Sequence, residues 1–304
     1  MRLAFFALPG TNQFHVLASK ALGTLARRLI IFLTLITTVF ASTAIKAREP
    51  ASMARLAEVS GMDKALEGFA AAIATQGDQI IQQGNAIGDP AAFLEAWKRA
   101  ANKSFTGDAL KAGFLKRLGG KFSPDEINAV VDFYQSDLGK RLVAAEVAAG
   151  TEARQQEMAN LAPSLMEGLA KDPTRNQELE RIATVTNLSE TMTSLALNIS
   201  RAILIGIATA DTSDRRMTLD DIAQVMTQQR PTIAKQMEAM TILSLAYAYK
   251  DLAIADLKEY GVFLATPSGR KFTAVSIENL DAVLSSASLT FGKLLAAELG
   301  RTPI

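Results

Sequence analysis

Any chemistry on this chain has to be built from carboxylates, lysines, arginines, tyrosines and hydroxyls. Its 304 residues include no Cys and a single His, His15. Without thiols there is no disulfide scaffold, no thiolate nucleophile and no Cys-ligated metal site. His15 lies ahead of the expected export cleavage, so the mature chain would have no imidazole for a Ser-His-Asp or Cys-His triad or a two-His metal set. The reactive residue types with the most suggestive spacing lie in one stretch, Phe122 to Leu142, FSPDEINAVVDFYQSDLGKRL. A hydrolase based on carboxylate, Tyr and Lys would have to use Glu126, Asp132, Tyr134, Lys140 or Arg141. Paired-carboxylate hydrolysis needs two acids ~5–10 Å apart across a cleft. Glu126 and Asp132 do not share a helix face. Tyr134 and Lys140 meet only if a bend between two helices brings them together. No catalytic residue, metal site or cofactor is therefore assigned, and the hydrolase stands as an alternative.

The elements that position these groups are helices. Ser123-Pro124-Asp125-Glu126 reads as a capping box with proline in its favoured first helical slot. Ile127, Val130, Val131 and Tyr134 keep the helical spacing of three and four. Ser136 is a natural cap for the next helix, with Asp137 in its first turn. Gly139 then sits inside that helix, where glycine costs ~1 kcal/mol against alanine, which suggests close approach of another backbone. A degraded copy of the stretch returns 130 residues later at Leu252 to Phe272, LAIADLKEYGVFLATPSGRKF. Phe122 falls on Leu252, Phe133 on Phe263, Ser136 on Thr266, and Gly139-Lys140-Arg141 on Gly269-Arg270-Lys271. The recurring glycine and basic pair make Gly139, Lys140, Arg141, Gly269, Arg270 and Lys271 a candidate anion or partner surface, since N–H groups in a first helical turn are free. A solvated face with side-chain stems over the core is the competing reading.

The stretch resembles the bacterial domain-of-unknown-function family 2059, whose members are mostly exported, helical proteins. The shared segment has an acidic helix start, Phe-Tyr near its end, then Ser-Pro-x-Gly and a basic pair. Glu126, Phe133, Tyr134, Ser136, Gly139 and Lys140 match it, and Asp137 replaces the proline. The second copy keeps Thr266-Pro267-Ser268-Gly269-Arg270-Lys271, but Leu264 replaces the tyrosine. The resemblance implies a helical, exported protein and brings no reaction with it.

Elsewhere the same helical signals recur. Asp89-Pro90, Thr106, Asp172-Pro173, Thr218 to Asp221 and Thr266-Pro267 all read as helix starts. Pro163 is expected to bend or break its helix and Pro231 to begin one. Trp97 reads as a core aromatic. The run from Leu179 to Ile203 reads as one long helix, and its end, to Ala208, is apolar on nearly every side. That marks Leu195, Ile199, Ile203 and Ile207, with Met237 and Met240, as a candidate apolar pocket or interface. No alternating strand pattern is present. The expected fold is all-α, a tandem repeat of a multi-helix unit with antiparallel packing. Residues 48–171 form the first unit around motif 122–142, and residues 172–304 the second around motif 252–272.

Met1 to Ala44 reads as a signal peptide with a long n-region. It carries Arg2, Lys20, Arg27 and Arg28, then the apolar run Leu29 to Ala41 and the small residues Ser42-Thr43-Ala44. The apolar run falls short of the ~20 residues of a spanning helix. Cleavage after Ala44 would send the protein to the periplasm, and an uncleaved inner-membrane anchor is the alternative. Losing those four cations takes the formal charge from +1 to −3, which argues against nucleic acid as a partner. With 49% hydrophobic and 21% charged residues the composition is globular. The functional expectation is a non-catalytic exported protein that binds a small apolar ligand, a peptide or an envelope partner. A structural or assembly-forming envelope protein is the second reading.

Overall fold

The computed structural model describes residues 52–82, 89–210 and 217–300. The leader Met1 to Ala44 lies outside these residues, as do Gly84 to Gly88 and Asp211 to Arg216, which the sequence reads as a turn and a polar loop. The described residues form α1 (Met53–Val59), α2 (Met62–Gln82), α3 (Pro90–Ser104), α4 (Gly107–Leu118), α5 (Pro124–Gln135), α6 (Asp137–Ala149), α7 (Glu152–Lys171), α8 (Pro173–Val185), α9 (Leu188–Ala210), α10 (Leu219–Ala248), α11 (Ile254–Ala265) and α12 (Pro267–Leu299). No strand occurs among them, and the fold is all-α.

The predicted starts hold. Asp89, Thr106, Ser123, Ser136, Asp172, Thr218 and Thr266 each accept a hydrogen bond from a backbone N–H of the following turn. Several internal breaks differ from expectation. The run from Met53 divides at Gly61, whose φ of 68° suits glycine. The helix expected to run on from Asp137 ends at Ala149 and restarts after Thr151. The long Leu179 to Ile203 run divides at Asn187, with φ of 49°, a left-handed position that Asn tolerates better than most residues. Two prolines leave their helices unbroken. Pro163 lies inside α7 and Pro231 inside α10, and both helices continue through them. Each proline removes one helical N–H bond, yet the apolar stripe stays in phase across it. Ile222 and Met226 before Pro231 share a buried face with Ile233 and Met237 after it. Met158 before Pro163 shares one with Leu169 after it.

The spine is α12. Its 33 residues span about 50 Å at 1.5 Å per residue. Its main partner is α9, and the two backbones touch where Gly206 meets Gly292. A Cβ on Gly206 would lie 2.4 Å from the Leu289 carbonyl oxygen, and one on Gly292 2.2 Å from that of Ile203. Toward its C-terminal end α12 packs on α3, where Phe291 is fully buried against Trp97, with ring centroids 4.7 Å apart. Trp97 donates its indole N–H to the Ile73 carbonyl at 2.8 Å, so it is a core residue. Burying a side chain such as Phe291 contributes roughly 1.5–3 kcal/mol. Toward its N-terminal end α12 meets α5 and α11. One continuous hydrophobic core runs through both halves of the chain. By length and composition, Leu188–Thr209 and Pro267–Leu299 would each suffice to cross a membrane. Here they pack on one another inside this core.

Candidate functional site: a tyrosine–glutamate cavity between two helix pairs

The site is framed by two helix junctions of the same construction. Between α5 and α6, Ser136 is extended, at φ −63° and ψ 164°. Its hydroxyl donates to the Phe133 carbonyl at 2.6 Å and accepts from the Gly139 N–H at 3.0 Å. Between α11 and α12, Thr266 has φ −66° and ψ 156°. Its hydroxyl donates to the Phe263 carbonyl at 2.7 Å and accepts from the Gly269 N–H at 3.0 Å. One hydroxyl thus ends the first helix and caps the second, which folds the chain sharply. The glycines permit the fold. A Cβ at Gly139 would stand 2.2 Å from the Phe133 carbonyl oxygen, and one at Gly269 2.2 Å from that of Phe263.

The two helix pairs face each other through residues at matching places. The rings of Phe133 and Phe263 stack with centroids 3.7 Å apart and 2° between their planes. Arg141 pairs with Asp256 at 2.6 Å. Lys271 pairs with Glu126 at 2.7 Å. Each cation thus reaches the acid of the other pair. Lys271, first, and then the Ser123 N–H hold the Glu126 carboxyl below its usual range. This geometry recasts the candidate anion surface. The Gly139 and Gly269 N–H groups are occupied by the Ser136 and Thr266 hydroxyls. Arg141 and Lys271 bind carboxylates across the junction. Lys140 and Arg270 are exposed.

Behind this contact lies a cavity of about 70 Å³. Tyr134 of α5, Glu146 of α6, Tyr249 just after α10, Tyr260 of α11 and Ser276 of α12 line it, with Ile182, Leu188, Leu245, Leu264 and Phe272 as its apolar wall. Thr186, Thr273 and Ile277 are half-buried lining residues on its outer side. Glu146 is buried, and the Tyr249 hydroxyl donates to its Oε1. Tyr260 stands edge-on to Tyr249, with centroids 6.1 Å apart, and its phenol interacts with those of Tyr134 and Tyr249. The Ser276 hydroxyl is buried with no hydrogen-bond partner. Burial pushes the phenols of Tyr134, Tyr249 and Tyr260 well above the usual tyrosine range, and Glu146 adds to the push on each. They are therefore neutral hydroxyls at neutral pH, able to donate and accept hydrogen bonds and unsuited to removing a proton. Arg175 fixes one wall by donating to the Tyr249 carbonyl at 3.0 Å and to that of Leu252.

The residues singled out in the sequence are thus distributed over different places. Tyr134 enters the cavity, while Lys140 is exposed and Glu126 lies in the ion pair, so the Tyr134–Lys140 pairing that the hydrolase alternative requires does not form. Asp132 is exposed. Leu195, Ile199 and Met237 are buried in the core, and Ile203, Ile207 and Met240 are half-buried. None of these six lines the cavity. Asp221 serves the Thr218 cap, and no group of acidic residues among the described ones is arranged to hold a metal ion. Sequence reading missed Glu146, Tyr249, Tyr260 and Ser276 as site residues. Glu146 carried a usable signal, for it occupies the apolar register of α6 with Leu142, Val143 and Ala149.

No curated protein and no solved structure matches the chain. Residues 108–168, from α4 into α7 and including Tyr134 and Glu146, match the family described as "Uncharacterized protein conserved in bacteria (DUF2059)".

Proposed function

We propose that this chain is an exported, non-catalytic binding protein that holds a small polar ligand in the cavity between Tyr134, Glu146, Tyr249, Tyr260 and Ser276. The observation that carries the reading is a buried acid and a buried, unpartnered hydroxyl facing one small space. Leaving a polar group buried and unpaired costs roughly 1–3 kcal/mol, and a ligand or water that bonds to it recovers that cost. Half of the lining residues carry a hydroxyl or a carboxylate on an otherwise apolar wall, so the ligand is more polar than the apolar molecule expected from the sequence. Export rests on the leader, Met1 to Ala44. We also propose that 122–142 and 252–272 are two copies of one helix-pair motif. The matching hydroxyl–glycine junctions and the exchanged ion pairs support that reading.

The test is a thermal-denaturation screen of the full chain against solutes of two to four non-hydrogen atoms, in parallel with Ser276→Leu. A solute that binds raises the Tm saturably, and the leucine, which occupies the cavity, removes the gain. The reading is wrong if no solute stabilises the chain, or if Ser276→Leu keeps the full effect.

A further inference from the structure

We infer that the ligand of this cavity is a small ammonium-type cation. The inference rests on the binding reading above and concerns the chemistry of the same site. Every side-chain atom with which the wall can meet a charge or a hydrogen bond is an oxygen: the Glu146 carboxylate, the three phenols, and the hydroxyls of Ser276 and the two threonines. No Lys, Arg or His lines it. Four aromatic rings line it as well, those of Tyr134, Tyr249, Tyr260 and Phe272. A ring face is the negative part of its quadrupole and attracts a cation, more strongly where water is excluded. A carboxylate beside several rings thus complements an ammonium group through both charge and N–H donation.

Size and ligand count narrow the class. The volume of about 70 Å³ admits ammonium or methylammonium, since one water needs only ~10–15 Å³ of such space. A metal cation of the hard type asks for six or more oxygens at close range, whereas three of the wall's oxygens are neutral phenols. An anion would meet the Glu146 carboxylate directly. A neutral alcohol would meet the hydroxyls but gain less than a cation from the Glu146 carboxylate.

The decisive experiment compares three probes of two or three non-hydrogen atoms on the full chain: methylammonium chloride, methanol and sodium formate, each against sodium chloride at equal ionic strength. A ligand this small binds at best in about the millimolar range, so Tm is followed through a titration into that range. The expected result is a saturable Tm rise with methylammonium alone. Glu146→Gln weakens it at least tenfold, and Ser276→Leu abolishes it. If methanol stabilises as well as methylammonium and Ser276→Leu abolishes both, the cavity binds ligands but the cation inference is overturned. If no probe exceeds sodium chloride, with water as the only occupant, both readings fall. A methylammonium effect that survives Ser276→Leu places binding elsewhere and also overturns the inference. Should Glu146→Gln fail to fold, Tyr260→Phe replaces it, with a weaker methylammonium response expected and an unchanged one counting against the proposal.

Discussion

The α5–α6 and α11–α12 pairs share a frame and differ in what they offer the cavity. At the junction the two are nearly interchangeable. Ser136 and Thr266 make the same two hydrogen bonds, Gly139 and Gly269 give the same clearance, and Phe133 stacks on Phe263. On the cavity side the matched places diverge. Tyr134 stands where the other pair has Leu264, Val130 where it has Tyr260, and Glu146 where it has Ser276. The frame tolerates little change at its glycines because what stands against them is mostly backbone. The cavity side chains change without disturbing it. The lesson is that geometry and chemistry are carried here by separate residues on the same helices.

The most damaging way to test the shared frame is to fill its glycines. Gly139→Ala and Gly269→Ala each drive a methyl group into a carbonyl oxygen, and each is expected to cost about 3 kcal/mol in urea denaturation, at the upper end of overpacking effects. If only one of them is destabilising, the two junctions are not equivalent. The cavity residues should instead behave unequally. Glu146→Ala strands the buried Tyr249 hydroxyl, which predicts a loss of about 2 kcal/mol. Ser276→Ala removes a hydroxyl that has no partner, so its stability is expected to stay level or rise. Equal losses at both would show that the Ser276 hydroxyl has a partner after all.

The alkaline limb sharpens the contrast. The folded-state pKa values of Tyr134, Tyr249 and Tyr260 lie above the ordinary value of 10.0. Stability is therefore complete below pH 10 and falls above it, where the unfolded chain releases protons that the folded one retains. Tyrosinate absorbance should lag in the native protein and appear together with loss of helix. Early titration of these phenols would show the cavity to be open to water. The smallest effects belong to the exposed ion pairs. Arg141→Gln should cost less than about 1 kcal/mol. Lys271→Gln should move the Glu126 titration up toward its ordinary 4.5 in an NMR pH series. With Lys271 in place, the contribution of this pair is present above that value and fades as pH falls through the lowered folded pKa. An unmoved Glu126 would mean that the cross-pair contact is absent in solution.

Much of this fold was legible in local sequence. Caps such as Ser123 and Thr218 act within one turn, and the all-α class followed from apolar spacing. Pro231 misled because local backbone chemistry favours a helix start there, whereas packing on both sides carries α10 through it, and similar packing leaves α7 unbroken at Pro163. The phase of Ile222, Met226, Ile233 and Met237 carried that information. Of the candidate site, Tyr134 was visible from its motif. Tyr249, Tyr260 and Ser276 reach the cavity from three further elements, and their meeting depends on how α10, α11 and α12 cross, which no local pattern encodes. The basic residues were visible too, but their partners Asp256 and Glu126 lie more than a hundred residues away.

The seating of Trp97 has an optical consequence. The chain has one tryptophan, and it reports on the α2–α3–α12 end of the core through Phe291 and the Ile73 carbonyl. Three of the four tyrosines surround the cavity beside Phe272. Phe272 and Phe291 sit on the same helix, about 29 Å apart along its axis. Indole fluorescence and phenol absorbance thus read opposite ends of one rod, and their melting curves, laid over each other, show whether the two ends come apart together or in turn.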